Sequence, residues 1–140
     1  MIKDQTLNDL QVFFEDYFFE FVDTKYPTGT TKLSEAINYA LKGKGKRVRP
    51  LLTLLVNDAL EANREKALLP AIAIEMMHTY SLVHDDMPVL DNDDLRRGRK
   101  TVHVVYDEPT ALMVGNSILT DLFTLSLSKQ SLLTDSQKNR

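Results

Sequence analysis

Five aspartates, Asp85, Asp86, Asp91, Asp93 and Asp94, fall within ten residues, and Arg96, Arg97, Arg99 and Lys100 follow at once. Carboxylates gathered this way can hold a hard divalent cation, which prefers oxygen ligands. Neighbouring arginines can grip phosphate oxygens through forked, charge-assisted hydrogen bonds. Together the two halves describe a site for a magnesium-bound polyphosphate. Spacing decides which acids could share a cation. Residues six apart on one continuous helix lie about 240° apart around the axis, so Asp85 and Asp91 would face different ways. Pro88, however, cannot sit inside a regular helix. The helix carrying Asp85 is therefore expected to unwind near Met87, and the chain to loop back so that Asp91 can share a cation with Asp85. Asp86 points elsewhere, and Asp93 and Asp94 can serve as charge complement alone. A solvated acidic turn capping the next helix is the plainer reading of the same residues. An EF-hand fails: counting from Asp91, the sixth place holds Arg96 rather than Gly and the twelfth Val102 rather than Glu.

A second group of cations stands upstream, in Gly45-Lys46-Arg47-Val48-Arg49-Pro50. It lies at the start of a helix, where the backbone dipole favours an anion. Lys46 and Arg49, three apart, can reach one ligand together, although basic turns are common on surfaces. Arg96 and Arg97, being adjacent, could serve two different anions or simply balance the aspartates. His78 lies seven residues before Asp85, two turns down the same helix face. It reads equally as a hydrogen-bonded core histidine or as a ligand contact. Tyr80, five before Asp85, would sit beneath the aspartates or belong to the core.

Helices must position these groups. Apolar residues at three- and four-residue steps predict helices over 5–22, 32–42, 49–61, 67–86 and 108–133. The first has its stripe at Leu7, Leu10, Phe14, Tyr17, Phe18 and Phe21, with Thr6 as a cap, and with Phe13 and Phe19 widening the apolar arc. The third is almost wholly apolar and is expected to be buried on most sides. The fourth should turn Ile74, Met77, Ser81 and either Leu82 or His84 inward, with Pro70 in its first turn. The last should bury Leu112, Leu119, Leu122, Phe123 and Leu127. Residues 87–100 read as loop, 134–140 as an unstructured tail, and 102–106 as the one β-leaning run. The fold class is all-α, an antiparallel helical bundle with short connections.

Composition fits that reading. The chain has 140 residues, 43% hydrophobic and 26% charged, which suits one globular domain. A net charge of −3 gives no basic excess for general nucleic-acid binding. There is no cysteine, hence no disulfide or zinc-thiolate site. Asp4, Asp9, Glu15 and Asp16 argue against a secretory signal. No window is expected to reach the uncharged length that spans a bilayer, and a soluble, cytoplasmic protein is expected.

The loop Gly45–Pro50, the run His78-Thr79-Tyr80-Ser81-Leu82-Val83-His84-Asp85-Asp86-Met87-Pro88 and the run Asp91-Asn92-Asp93-Asp94-Leu95-Arg96-Arg97-Gly98 resemble, in this order, the motifs of the trans-isoprenyl diphosphate synthases. They are most similar to the bacterial farnesyl diphosphate synthase (geranyltranstransferase) type, and the likeness spans about residues 35–127. It implies the isoprenoid synthase fold and a prenyltransferase joining isopentenyl diphosphate to dimethylallyl or geranyl diphosphate. It implies that Asp85 and Asp91 hold Mg²⁺ on the allylic diphosphate and that Arg96 grips the same group. Lys46, Arg49, His78 and Arg97 would hold the isopentenyl diphosphate, and Tyr80 would set product length as a floor to the chain pocket, suggesting a C15 product. Relatives carry a second aspartate-rich motif in their C-terminal half, and residues 1–140 contain none. The chain is thus expected to be the N-terminal part of a single domain, forming a homodimer or associating with that other half. Asn116 after Gly115 stands where relatives usually have Asp. The alternatives are a non-catalytic helical subunit or partner of such a synthase, or a geranylgeranyl diphosphate synthase.

Overall fold

The computed structural model describes residues 4–127, with side chains from Leu7 onward. The order is α1 (Asp4–Lys25), α2 (Lys32–Leu41), α3 (Val48–Ala59), α4 (Glu65–Asp85), β1 (Leu95–Arg96), β2 (Arg99–Lys100), α5 (Val102–Val105) and α6 (Glu108–Leu127). The all-α expectation holds. The helix from 108 is described as far as Leu127, and the proposed continuation to 133 and the polar tail lie outside the described residues.

Four-residue steps of Leu10, Phe14, Phe18 and Val22 give α1 a buried stripe, and Tyr26 beyond its end extends it. Leu7 and Tyr17, expected on that stripe, are 37% and 46% exposed. The chain is already helical at Asp4, so Thr6 lies inside the helix rather than at its boundary, and the Thr6 side chain is outside the described residues. Thr31 caps α2, its Oγ1 accepting the Ser34 N–H at 3.1 Å. Ala36, Ile37 and Leu41 then turn inward.

Helix α4 makes the most extensive packing, against α6 and then α3. Its buried residues are Ala67, Leu68, Ala71, Ile72, Ala73, Glu75, Met76, Thr79 and Val83. The stripe expected from sequence, Ile74–Met77–Ser81, lies elsewhere: Ile74 and Ser81 are half-buried and Met77 is 45% exposed. This helix is apolar nearly all round, so periodicity does not choose a face, and its small alanines mark the side that packs. It also starts earlier than expected, which puts Pro70 in the second turn. Helix α3 is not buried on most sides: Pro50, Leu51 and Leu54 are inside, while Val48, Leu52 and Val56 stand exposed.

Asp107 starts α6, its Oδ1 accepting the Thr110 N–H at 2.7 Å while its Oδ2 pairs with Lys32. Buried Ala111, Val114, Ile118, Leu122 and Leu125 face the core. Of the expected set only Leu122 is buried; Leu119 is half-buried, and Leu112, Phe123 and Leu127 are exposed. By length and composition alone α6 could cross a bilayer, contrary to the sequence expectation. It packs against α4 and α2, with 33% of its apolar stretch buried. The β-leaning run at 102–106 is instead the short helix α5, while strands form where loop was expected.

Candidate functional site

The end of α4 and the chain beyond it turn back as Pro88 requires. The Met87 N–H still donates to His84 O at 3.1 Å, after which the Asp91 N–H donates to Asp85 O at 2.8 Å and the Asp93 N–H to Asp86 O at 3.1 Å. The backbones of Asp85 and Asp91 are thus hydrogen-bonded neighbours. Both residues are exposed, and among the described residues neither carboxylate takes a hydrogen bond or ion pair. Asp86 differs. It is 4% exposed and accepts from Arg96 at 2.9 Å on each oxygen through Nε, and at 2.6 Å through Nη2.

Residues 95–100 form an antiparallel hairpin with Leu95 opposite Lys100 and Arg96 opposite Arg99. Its tip, Arg97-Gly98, has φ of 53° and 76°. Two central residues with positive φ make a type I′ turn, whose twist matches that of the strands. Thr101 closes the base, its N–H reaching Asp94 O at 3.0 Å and its hydroxyl Asp93 O at 2.8 Å. Arg99 stacks 3.5 Å from the Tyr39 ring centroid and donates to Tyr39 O at 2.9 Å, anchoring the hairpin on α2. Arg96 and Arg97 therefore part company. Arg96 goes to Asp86, and Arg97 Nη1 reaches across to Lys44 O at 2.8 Å.

That last bond joins the hairpin to the basic loop. Lys46, Arg49, His78 and Arg97, the four residues assigned from sequence to one diphosphate, line a single cavity of about 500 Å³. Lys46 and Arg49 are exposed, with no carboxylate partner among the described residues. Burial first, then the Arg49 charge, holds the His78 imidazole below its ordinary pKa, with Arg97 and Arg96 adding to the effect and Glu75 opposing it. His78 is therefore neutral near pH 7 and can donate one ring N–H. A smaller cavity of about 90 Å³ shares Arg47, Glu75, His78 and Arg97 and continues to Asp86 and Arg96. Tyr80 is half-buried, its ring edge-on to His84 at 6.0 Å between centroids.

Sequence reasoning did not single out Arg47 or Glu75. Arg47 is 4% exposed, with Nη1 2.7 Å from Glu75 Oε1 and Nε 3.1 Å from Glu15 Oε1. Glu75 offered a signal, as the one charge within the apolar run 67–77. Among the described residues no three metal-ligating side chains converge. Magnesium nonetheless suits the Asp85–Asp91 pair, since it is commonly held by one or two carboxylates plus substrate phosphates and water.

The polyprenyl synthetase family model matches residues 30–136. A farnesyl diphosphate synthase of Micrococcus luteus is 51% identical over 106 residues, covering 76% of this chain and 36% of the relative. A chloroplastic geranylgeranyl pyrophosphate synthase of Capsicum annuum is 48% identical over 91 residues, 65% of this chain and 25% of the relative. The solved structure of a geranyltransferase from Legionella pneumophila superposes with a TM-score of 0.87 at 34% identity, over 96% of this chain and 47% of that one. The chain spans between a quarter and about a third of the length of the curated relatives it matches. The superposition thus agrees with the sequence match, and the chain belongs to the polyprenyl synthetase family.

Proposed function

We propose that this chain supplies one wall of a prenyltransferase that joins isopentenyl diphosphate to an allylic diphosphate, dimethylallyl or geranyl, to give farnesyl diphosphate. The observation that carries this reading is the separation of unpaired charge. Lys46, Arg49 and Arg97 line one cavity with His78, while Asp85 and Asp91, whose backbones are bonded to each other, have no ion-pair partner among the described residues. Cations converging on one cavity suit an anion, and the adjacent carboxylates suit the divalent cation that accompanies a diphosphate.

Asp85 and Asp91 would hold Mg²⁺, which when bound supplies positive charge against the departing diphosphate. Arg96, held in place by Asp86, presents the rest of its guanidinium to the same allylic group. Lys46, Arg49, Arg97 and the neutral His78 fix the isopentenyl diphosphate, so that its double bond faces the allylic carbon as that carbon loses its leaving group. The diphosphate that departs can take the proton released, so no protein base is needed. The apolar side of α4 with Tyr80 keeps water from the cation and ends the chain pocket. The same reading makes residues 1–140 the N-terminal part of one domain, in a cytoplasmic protein that forms a homodimer or pairs with the other half of the domain. Both farnesyl and geranylgeranyl synthases stand among the relatives, and Tyr80 favours the shorter product.

The test is release of inorganic pyrophosphate from geranyl and isopentenyl diphosphates by an enzyme carrying this segment. Release should require magnesium and fall by about 100-fold or more for Asp85→Ala. Undiminished release from that variant overturns the assignment.

A further inference from the structure

The basic loop carries one cation that faces inward. Lys44, Lys46 and Arg49 are exposed, but the Arg47 side chain is 3% exposed and its Glu75 partner 5%. All three guanidinium nitrogens are engaged: Nη1 with Glu75 at 2.7 Å, Nε with Glu15 at 3.1 Å, and Nη2 with Gly43 O at 2.8 Å. The backbone at Arg47 takes a φ of 49°, an unusual conformation for a residue with a Cβ. Stability alone does not explain the arrangement, because a buried ion pair replaced by apolar residues of similar size is often no less stable.

Glu75 makes the arrangement stranger. It is a carboxylate on the wall of a cavity whose other charges suit an anion. By Coulomb's law it repels that anion. Its position along the chain offers a reason. Glu75 lies one helical turn before His78, and Arg47 lies between Lys46 and Arg49. The Arg47–Glu75 bond therefore bolts the loop that carries two of the cavity's cations to the helix that carries its imidazole.

We propose that Arg47 and Glu75 are positioning residues, which fix Lys46 and Arg49 opposite His78 so that the three meet one diphosphate group together. The proposal rests on the reading of this cavity as a diphosphate site. It makes a prediction of sign. On charge alone, removing Glu75 should tighten anion binding; if Glu75 positions the loop, the same change weakens it.

The experiment is calorimetric titration of the chain with inorganic pyrophosphate. A chelator is present, so that the Asp85–Asp91 wall contributes no attraction, and thermal unfolding is followed in parallel. Glu75→Leu, which removes the acceptor as well as the charge, should weaken binding about fivefold or more, a loss of about 1 kcal/mol. Equal or tighter binding overturns the proposal. The double variant Arg47→Met with Glu75→Met leaves the net charge unchanged, and the Glu15 carboxylate it frees is partly exposed to water. It should bind more weakly while still unfolding cooperatively, and unchanged affinity in it also overturns the proposal, even if Glu75→Leu fails to fold. Lys46→Ala with Arg49→Ala separates the two levels. If the unaltered chain does not bind pyrophosphate, or this variant binds as well as the unaltered chain, the cavity itself has been misread. If the unaltered chain binds and only the Arg47 and Glu75 variants have no effect, positioning alone is refuted.

Discussion

Gly115 offers a sharp test of how α6 meets α4. A Cβ built there would lie 2.0 Å from His84 Nε2, 2.3 Å from Cδ2 and 2.6 Å from Cε1. The imidazole fills the space a side chain would need. It is held there by Nε2, 3.2 Å from Leu112 O, and by the edge of Tyr80. Gly115→Ala must push the ring aside, and overpacking of this kind costs about 1–3 kcal/mol. The lost His84–Leu112 bond adds about 1 kcal/mol. Alanine's better helix propensity returns about 1 kcal/mol. The net loss is about 1–3 kcal/mol, which at this chain length lowers the melting temperature by roughly 4 °C per kcal/mol. Thermal unfolding followed by circular dichroism measures it. The decisive comparison is with His84→Ala. With the ring removed, alanine at 115 has room, and only its propensity advantage of about 1 kcal/mol remains. The two changes should therefore couple by about 3 kcal/mol in a double-mutant cycle. If Gly115→Ala is equally damaging in both backgrounds, the steric account is wrong.

Tyr80→Ala, in an enzyme carrying this segment, should lengthen the prenyl product seen by chromatography, and an unchanged distribution refutes the floor role. For His78, an NMR titration of the ring should give a pKa below 6.5, and Arg49→Met should raise it. Because the folded-state value is depressed, the unfolded chain takes up its proton first, so stability falls as pH drops below 6.5 and through the folded-state value. No rise in the Arg49 variant removes that residue as a cause. Lys32, with Thr110, holds the Asp107 carboxyl at about 2 against an ordinary 3.8. Its contribution to stability is therefore present above pH 3.8 and lost as pH falls towards 2. An NMR titration of the carboxyl carbon should move up in Lys32→Met, and a native value near 3.8 contradicts the pairing.

The helices were legible because apolar spacing and turn residues agree along most of the chain. The faces of α3, α4 and α6 were not. Where nearly every residue is apolar, as at Leu51–Val56 or Ala67–Met77, the side that packs is chosen by size and by neighbours absent from the local pattern. Pro88 announced the reversal after Asp85, and the backbone bonds of Asp91 and Asp93 follow it. The hairpin was hidden because its strands are two residues each, too short for alternation to register. The Arg97-Gly98 tip was its only signal. Arg47 looked like one more surface cation beside Lys46. Its burial depends on Glu75 and Glu15, 28 and 32 residues away, which no local rule connects.

Exposed loops ordinarily absorb added residues at little thermodynamic cost, because closure entropy grows slowly with length. The hairpin at 95–100 has no such freedom. Its two-residue tip sends one guanidinium inward to Asp86 and the next outward to Lys44 O. One residue more or fewer at the tip would shift β2 by one place and turn Arg99 away from the Tyr39 ring it stacks on. Solvent access and tolerance of insertions, which usually travel together, are separated here: the segment lies in water, yet its register is tied to α2.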